Sequence, residues 1–252
     1  MNPRPPSRFG RPAPPGNSDA HDGVLIVDKP AGPTSHDVVD AVRRVLGIRR
    51  VGHGGTLDPL ATGLLIVLAG RATKLSDRFL GADKTYEGTL RLGEATDTQD
   101  AEGELVRTAD AAGVTRAHVE AGMAALTGDL LQTPPMASAV KVDGVALYKL
   151  ARRGETIERK PRLIHVYAFT LTAFRPPEAD FVVKCTKGTY VRTLAHDLGE
   201  RLGCGAHLRA LRRTACGELS VLQALPLDQL VRMDRTELCQ RLLPIHRFAG
   251  TR

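Results

Sequence analysis

The chain of 252 residues predicts an α+β fold, a mixed and largely antiparallel central sheet flanked by helices, with a small C-terminal appendage. Three observations carry this. From Thr85 to Leu92 the residues alternate, with Tyr86, Gly88, Leu90 and Leu92 on one side and Thr85, Glu87, Thr89 and Arg91 on the other, which is the period of a half-buried strand. Strand-like runs at Ile164 to Phe174 and Phe181 to Thr186 follow each other with no helix between them, and the helical segments stand isolated. Runs of strands with isolated helices favour α+β over regular βαβ alternation. A hydrophobic content of 42% supplies a core for one large domain, or one domain with an appendage, without covalent staples.

Residues 1 to about 22 hold Pro3, Pro5, Pro6, Pro12, Pro14 and Pro15 with Arg4, Arg8 and Arg11 and almost no large apolar side chain, the composition of a disordered basic tail. Order is expected from the short strand Val24-Leu25-Ile26-Val27, which leads through Asp28-Lys29-Pro30 to a Gly32-Pro33 turn. Thr34 or Ser35 then caps a helix with Val38, Val42, Val45 and Leu46 on its apolar face, closed by Gly47. The apolar run Leu64 to Leu68 reads as a buried strand, and Thr115 to Leu126 as a helix with Val119, Met123 and Leu126 inward. Residues 131 to 162 are turn-rich and basic, carrying Lys141, Lys149, Arg152, Arg153, Arg159, Lys160 and Arg162, a segment suited to a phosphate backbone. After the two later strands, Lys187 to Tyr190 turns into a helix with Val191, Leu194, Ala195, Leu198 and Leu202 inward, ended by Gly203. Leucines 225, 227, 230, 238 and 242 give residues 224 to 252 the look of a short appended segment. The domain boundaries read from this are 1–22, 23–223 and 224–252.

The charge balance, 35 Lys and Arg against 28 Asp and Glu, points weakly to a polyanionic partner. Four cysteines without C-x-x-C spacing, and eight histidines without a helical pair, give no metal or disulfide framework. No stretch approaches the ~18 apolar residues of a membrane span, so a reduced cytoplasmic protein with no membrane association is expected. Asp97, Asp100, Glu102 and Glu104 make an acidic loop, but Gly103 and the missing later Glu break the calcium-loop pattern, and the segment reads as a solvated hairpin turn.

The most informative segment is residues 52 to 63, Gly-His-Gly-Gly-Thr-Leu-Asp-Pro-Leu-Ala-Thr-Gly, with the single carboxylate Asp58 set before Pro59. By shape alone a turn is the commoner reading, because Asp bonds its own backbone and proline fixes the next φ. Against it stand Gly52, Gly54, Gly55 and Gly63, which leave room for a large partner. His53 reads as pocket wall, base or ligand. Two of the four tyrosines, Tyr86 and Tyr190, sit beside Lys84, Lys187 and Arg192, the combination that stacks on an unpaired base while holding its phosphate. Arg192 at a helix start opposes the helix dipole and calls for an anionic partner. A non-catalytic RNA-binding module would need these features without Asp58, and a metal-dependent nuclease would need clustered carboxylates.

These residues closely resemble the bacterial-type tRNA pseudouridine synthases that act on the T loop, the TruB family. The resemblance runs over about 24 to 215 and rests on Asp28-Lys29-Pro30, Gly52 to Gly63, Lys74, Asp83 to Tyr86, Leu92-Gly93 with Thr96-Asp97-Thr98, Gln132 to Met136, Lys187 to Thr193 and Leu198 to Arg212. It implies the pseudouridine synthase fold, and Asp58 as the essential aspartate acting on a flipped-out uridine at tRNA position 55, without cofactor or metal. Attack on the base, attack on the sugar and abstraction of a sugar proton all stay open as its role. The resemblance further implies that His53 lies against the flipped nucleotide, Tyr86 stacks on the uracil, and Tyr190 and Leu211 complete the pocket. Arg192 is implied to pair with Asp58, while Lys29 and residues 131 to 162 contact the T-arm backbone of tRNA. The protein is expected to act as a monomer. Many family members carry a full C-terminal RNA-binding module of the PUA type, and the roughly forty residues after Leu211 are expected to be at most a stub of one.

Overall fold

A computed structural model of the chain describes residues 21–136, 138, 141, 142, 144–147, 150, 153, 155 and 157–248. The expected N-terminal tail lies outside these residues up to position 20, as do parts of the basic segment 131 to 162. In chain order the elements are β1 (Gly23–Lys29), α1 (Ser35–Leu46), β2 (Val51–His53), β3 (Thr62–Ala69), α2 (Ser76–Gly81), β4 (Lys84–Leu92), β5 (Glu94–Thr96), β6 (Leu105–Thr108), α3 (Arg116–Ala125) and β7 (Gly128–Gln132). There follow β8 (Lys141–Val142), β9 (Val145–Ala146), β10 (Arg162–Arg175), β11 (Glu178–Cys185), α4 (Val191–Arg201), β12 (Ala206–Cys216), β13 (Leu219–Ser220), β14 (Leu225–Pro226), α5 (Leu227–Leu230) and α6 (Arg235–Gln240). Two compact units result, one containing residues up to Ala82 and from Arg212 onward, the other Asp83–Leu211.

In the first unit β3 is the organising strand. Its residues from Gly63 to Ala69 are all buried, as expected of an apolar run covered on both faces. It pairs antiparallel with β1 from Gly23↔Ala69 to Lys29↔Gly63, antiparallel with β2 through Val51↔Ala69 to His53↔Val67, and parallel with β12 at Arg212↔Thr62 and Arg213↔Gly63. Helix α1 starts on a capping box between Thr34 and Asp37 and stops at Gly47, whose φ is +66°. Val38, Val42 and Leu46 are buried as expected, together with Val39 and Ala41, while Val45 is half-buried. The final segment is built into this unit: β14 pairs parallel with β1, Leu243 bridges Val24, and Phe248 meets Phe79 edge-on at 5.3 Å between ring centres.

The second unit is built on antiparallel pairings of β4 with β11, β11 with β10, and β10 with β7. Tyr86, Leu90, Ile164, Val166, Phe169, Phe181 and Val183 are buried, and α3 packs on β10 and on α4. Helix α3 is capped by Thr115 and buries Val119 and Met123. Strands β5 and β6 form the hairpin expected around residues 97 to 104, and Asp97, Glu102 and Glu104 are exposed at its turn. Asp100 departs from the expectation of a solvated turn, because it is buried and faces a cation. Among the described residues no helix is long and apolar enough to cross a membrane.

The close pairing of β3 with β12 requires Gly63. Its φ is +96°, and a Cβ there would lie 2.3 Å from the carbonyl oxygen of Arg213 and 2.9 Å from its nitrogen. Gly63→Ala is therefore expected to destabilise the protein by about 2 kcal/mol or more in denaturant titration. Gly81→Ala, where nothing lies within 4 Å, is the control expected to change little.

Candidate active site

Asp58 lies in the first unit, half-buried, on the loop between β2 and β3. The loop is fastened from inside by three polar side chains. Arg213, 2% exposed, donates from Nε to the Leu64 carbonyl at 2.7 Å, and from its two terminal nitrogens to the carbonyls of Thr56 and Gly55, each at 3.2 Å. The Ser35 hydroxyl accepts from the Leu57 N–H at 2.8 Å and donates to the Leu57 carbonyl at 2.9 Å. The Lys29 ammonium donates to the carbonyls of Pro30, Pro33 and Pro59 at 2.9, 2.8 and 3.2 Å. The residues immediately before and after Asp58 are thus both tied down. Within the loop Gly54 N–H donates to Ile66, and Ala61 N–H to the Asp58 carbonyl.

The loop glycines also have internal work. A Cβ on Gly54 would fall 2.6 Å from Phe79 Cβ, and Gly63 is held against Arg213. Two of the four glycines read as room for a large partner are thus filled by the protein's own packing.

Lys29 differs from the expected surface contact to a tRNA backbone. Its side chain is fully buried and its ammonium is turned onto main-chain carbonyls, so in this structure it shapes the loop. His53, at the end of β2, accepts at Nδ1 from the Gly55 N–H at 3.4 Å. Burial, and secondarily the charges of Arg213 and His36, hold its imidazole below the ordinary histidine range. His53 is therefore neutral near pH 7.

The second unit holds Tyr86, Tyr190, Arg192 and Leu211. Tyr86 and Leu211 are buried at 9% and 8% exposure, and Tyr190 is half-buried. Arg192, in the first turn of α4, is buried and forms an ion pair with Asp100 at 3.1 Å, while the same nitrogen donates to the Thr98 carbonyl at 3.2 Å. One anion demanded by a cation at a helix start is thus supplied from within the unit. The Asp100 turn is itself seated on β12, since Leu208 N–H donates to Gln99 and Ala101 N–H to Leu208, and Thr193 donates to the Gln99 side chain at 2.8 Å. Gln99 has the one positive φ of a non-glycine among the described residues, +67°.

Sequence reasoning missed Arg213, Ser35, Asp100 and Gln132 as working residues. For Arg213 a signal existed: Arg212 and Arg213 adjoin on a strand, so one of them must face inward. Arg212 takes the half-exposed side and binds Asp28 through two nitrogens, at 3.0 and 2.6 Å. Arg213 takes the interior.

A family model described as TruB family pseudouridylate synthase, N-terminal domain, matches residues 43–191, and one for the tRNA pseudouridylate synthase B C-terminal domain matches residues 192–248. The chain belongs to the TruB family. Among curated TruB relatives, a tRNA pseudouridine synthase B from Opitutus terrae is 55% identical over 228 residues, covering 90% of this chain and 95% of that protein. Another, from Thermobifida fusca, is 51% identical over 91% of this chain and 82% of its own length. Among solved structures, the crystal structure of a Cbf5–Nop10–Gar1 complex superposes with a TM-score of 0.71 at 29% identity, covering 90% of this chain. The TruB chain spans 61% of that protein's length.

The half-buried, neutral His53 has a consequence for stability. Its folded pKa lies below the ordinary value near 6.5, so on acidification the unfolded chain takes up this proton first. The contribution is intact above about pH 7 and is lost as pH falls through about 6.5 toward the folded value. His53→Gln is expected to lose less unfolding free energy than the parent between about pH 7.5 and 5.5, measured by urea titration; equal losses would place the titration elsewhere.

Proposed function

We propose that this protein is a tRNA pseudouridine synthase that isomerises the T-loop uridine at position 55, with Asp58 as its catalytic carboxylate. The observation that carries the assignment is the fastening of Leu57 and Pro59 on either side of Asp58, which fixes the one carboxylate of the loop before RNA arrives. A carboxylate held by its own main chain approaches the reacting atoms without paying the entropy of ordering a loop at each turnover.

The chemistry balances within the nucleotide. The bond between C1′ and N1 of uracil breaks, the detached base turns, and a bond forms between C1′ and C5. The C5 proton leaves to solvent and N1 gains one, so no oxidant, reductant or second substrate is needed. Asp58 provides the nucleophile toward base or sugar, or the base that takes a sugar proton, and Arg192 is its counter-charge, a role that favours the ionised carboxylate. Tyr86 stacks on the extruded uracil, Tyr190 and Leu211 line its pocket, and neutral His53 lies against the nucleotide. Extrusion costs a few kcal/mol of unstacking, and stacking on an aromatic ring offsets about 1–3 kcal/mol of it.

The exposed cations Arg153, Lys160 and Arg162 are placed on the phosphates of the T arm. Arg159 contributes differently, since it is half-buried and donates to the Pro134 carbonyl at 3.1 Å. The protein works as a monomer in the cytoplasm, where its tRNA substrate is.

With tRNA carrying tritium at uridine C5, the parent protein releases label and leaves pseudouridine at position 55. Asp58→Asn is expected to bind tRNA within about threefold of the parent and to lose turnover by roughly 10⁴-fold or more. Appreciable release by the variant would contradict the role of Asp58, and modification outside the T loop would contradict the substrate.

A further inference from the structure

We propose that Gln132 is the positioning residue for Tyr190. The inference rests on the pocket role given to Tyr190 above. Gln132 is the last residue of β7, only 4% exposed, and its carboxamide closes a two-bond ring with the main chain of a residue 58 positions away. The Tyr190 N–H donates to Oε1 at 2.7 Å, and Nε2 donates to the Tyr190 carbonyl at 3.1 Å. A carboxamide has the shape and polarity of a peptide group, so this ring reproduces one step of a strand ladder between a side chain and a backbone.

Tyr190 needs such an anchor. It occupies the N-cap position of α4 and makes no side-chain capping bond. The residues leading to it are a turn with Lys187 and Gly188 exposed and Gly188 at φ +79°. Its carbonyl also accepts the first helical bond from Leu194 at 3.1 Å, so the two lone pairs of one oxygen serve helix and Gln132 together. Removing the carboxamide takes away the partner of the Tyr190 N–H and one of two bonds to its carbonyl. The backbone that aims the phenol ring is then free to turn.

The test uses the full-length protein with tRNA. Gln132→Ala is expected to lower kcat by roughly ten- to hundredfold, the loss that follows a displacement of about an ångström at a reacting site, with KM for tRNA changed by less than about twofold. Gln132→Glu retains the acceptor for the Tyr190 N–H but turns an oxygen toward its carbonyl, and is expected to lose kcat as well. A double-mutant cycle separates positioning from mere stability. Tyr190→Ala alone is expected to slow turnover, and Gln132→Ala added to it is expected to cost nothing further. If the two losses multiply, Gln132 acts by another route and the positioning role falls while the proposed function stands. If Tyr190→Ala leaves kcat unchanged, the pocket role of Tyr190 falls and this proposal falls with it.

Discussion

A guanidinium in the interior of the first unit is the constraint on which the loop of Asp58 depends. Withdrawing a charged side chain from water costs several kcal/mol even after relaxation, and Arg213 recovers this through charge-assisted bonds to the carbonyls of Leu64, Thr56 and Gly55, each worth about 1.5–3 kcal/mol. Its main chain is equally committed, since Arg213 is the parallel partner of Gly63. Because Gly63 has no side chain, β12 comes close to β3, and that approach brings the guanidinium under the loop. One strand contact therefore determines both how β12 meets β3 and how the loop of Asp58 is held.

Lys29 and Ser35 complete the arrangement from the other end of the fold. Lys29 ends β1, and Ser35 begins α1, the helix that follows it. Three side chains from three elements thus converge on backbone groups of one loop, and none of the bonds described for them uses the carboxylate. The main chain on either side of Asp58 is fixed by these neighbours. The second unit repeats the principle with a buried ion pair. Asp100 and Arg192 are 92 residues apart and both are buried, so the positive charge at the head of α4 is aimed by a carboxylate from the β5–β6 turn.

What could be read from the sequence follows a physical line. Helix α1 and its caps, the buried run of β3, the alternation in β4 and the helix after Tyr190 were legible because each is encoded by spacing within about fifteen residues. Asp58 stood out once the loop was seen as a whole. Asp100 was misread because nothing local distinguishes a buried acid from its solvated neighbours Asp97 and Glu102; its partner lies far along the chain. Lys29 was misread for the same reason, since its proline carbonyls assemble only when β1 and the loop meet. The glycines at 54 and 63 read as room for a large partner, whereas Phe79 and Arg213 occupy that space. The bonds of Ser35 to Leu57 and of Gln132 to Tyr190 carry no periodic signal, because each is a polar side chain at an element's end paired with the backbone of one distant residue.

Fastened by Arg213, Lys29 and Ser35, this loop is ordered in the RNA-free protein. Amide hydrogen exchange in the RNA-free protein measures this directly at Gly54, Leu57 and Ala61, whose N–H groups donate to Ile66, Ser35 and Asp58. Protection at these three amides approaching that of the β3 strand is the predicted result. Exchange at the rate of an open, solvated loop, with protection appearing only when tRNA is added, would contradict it.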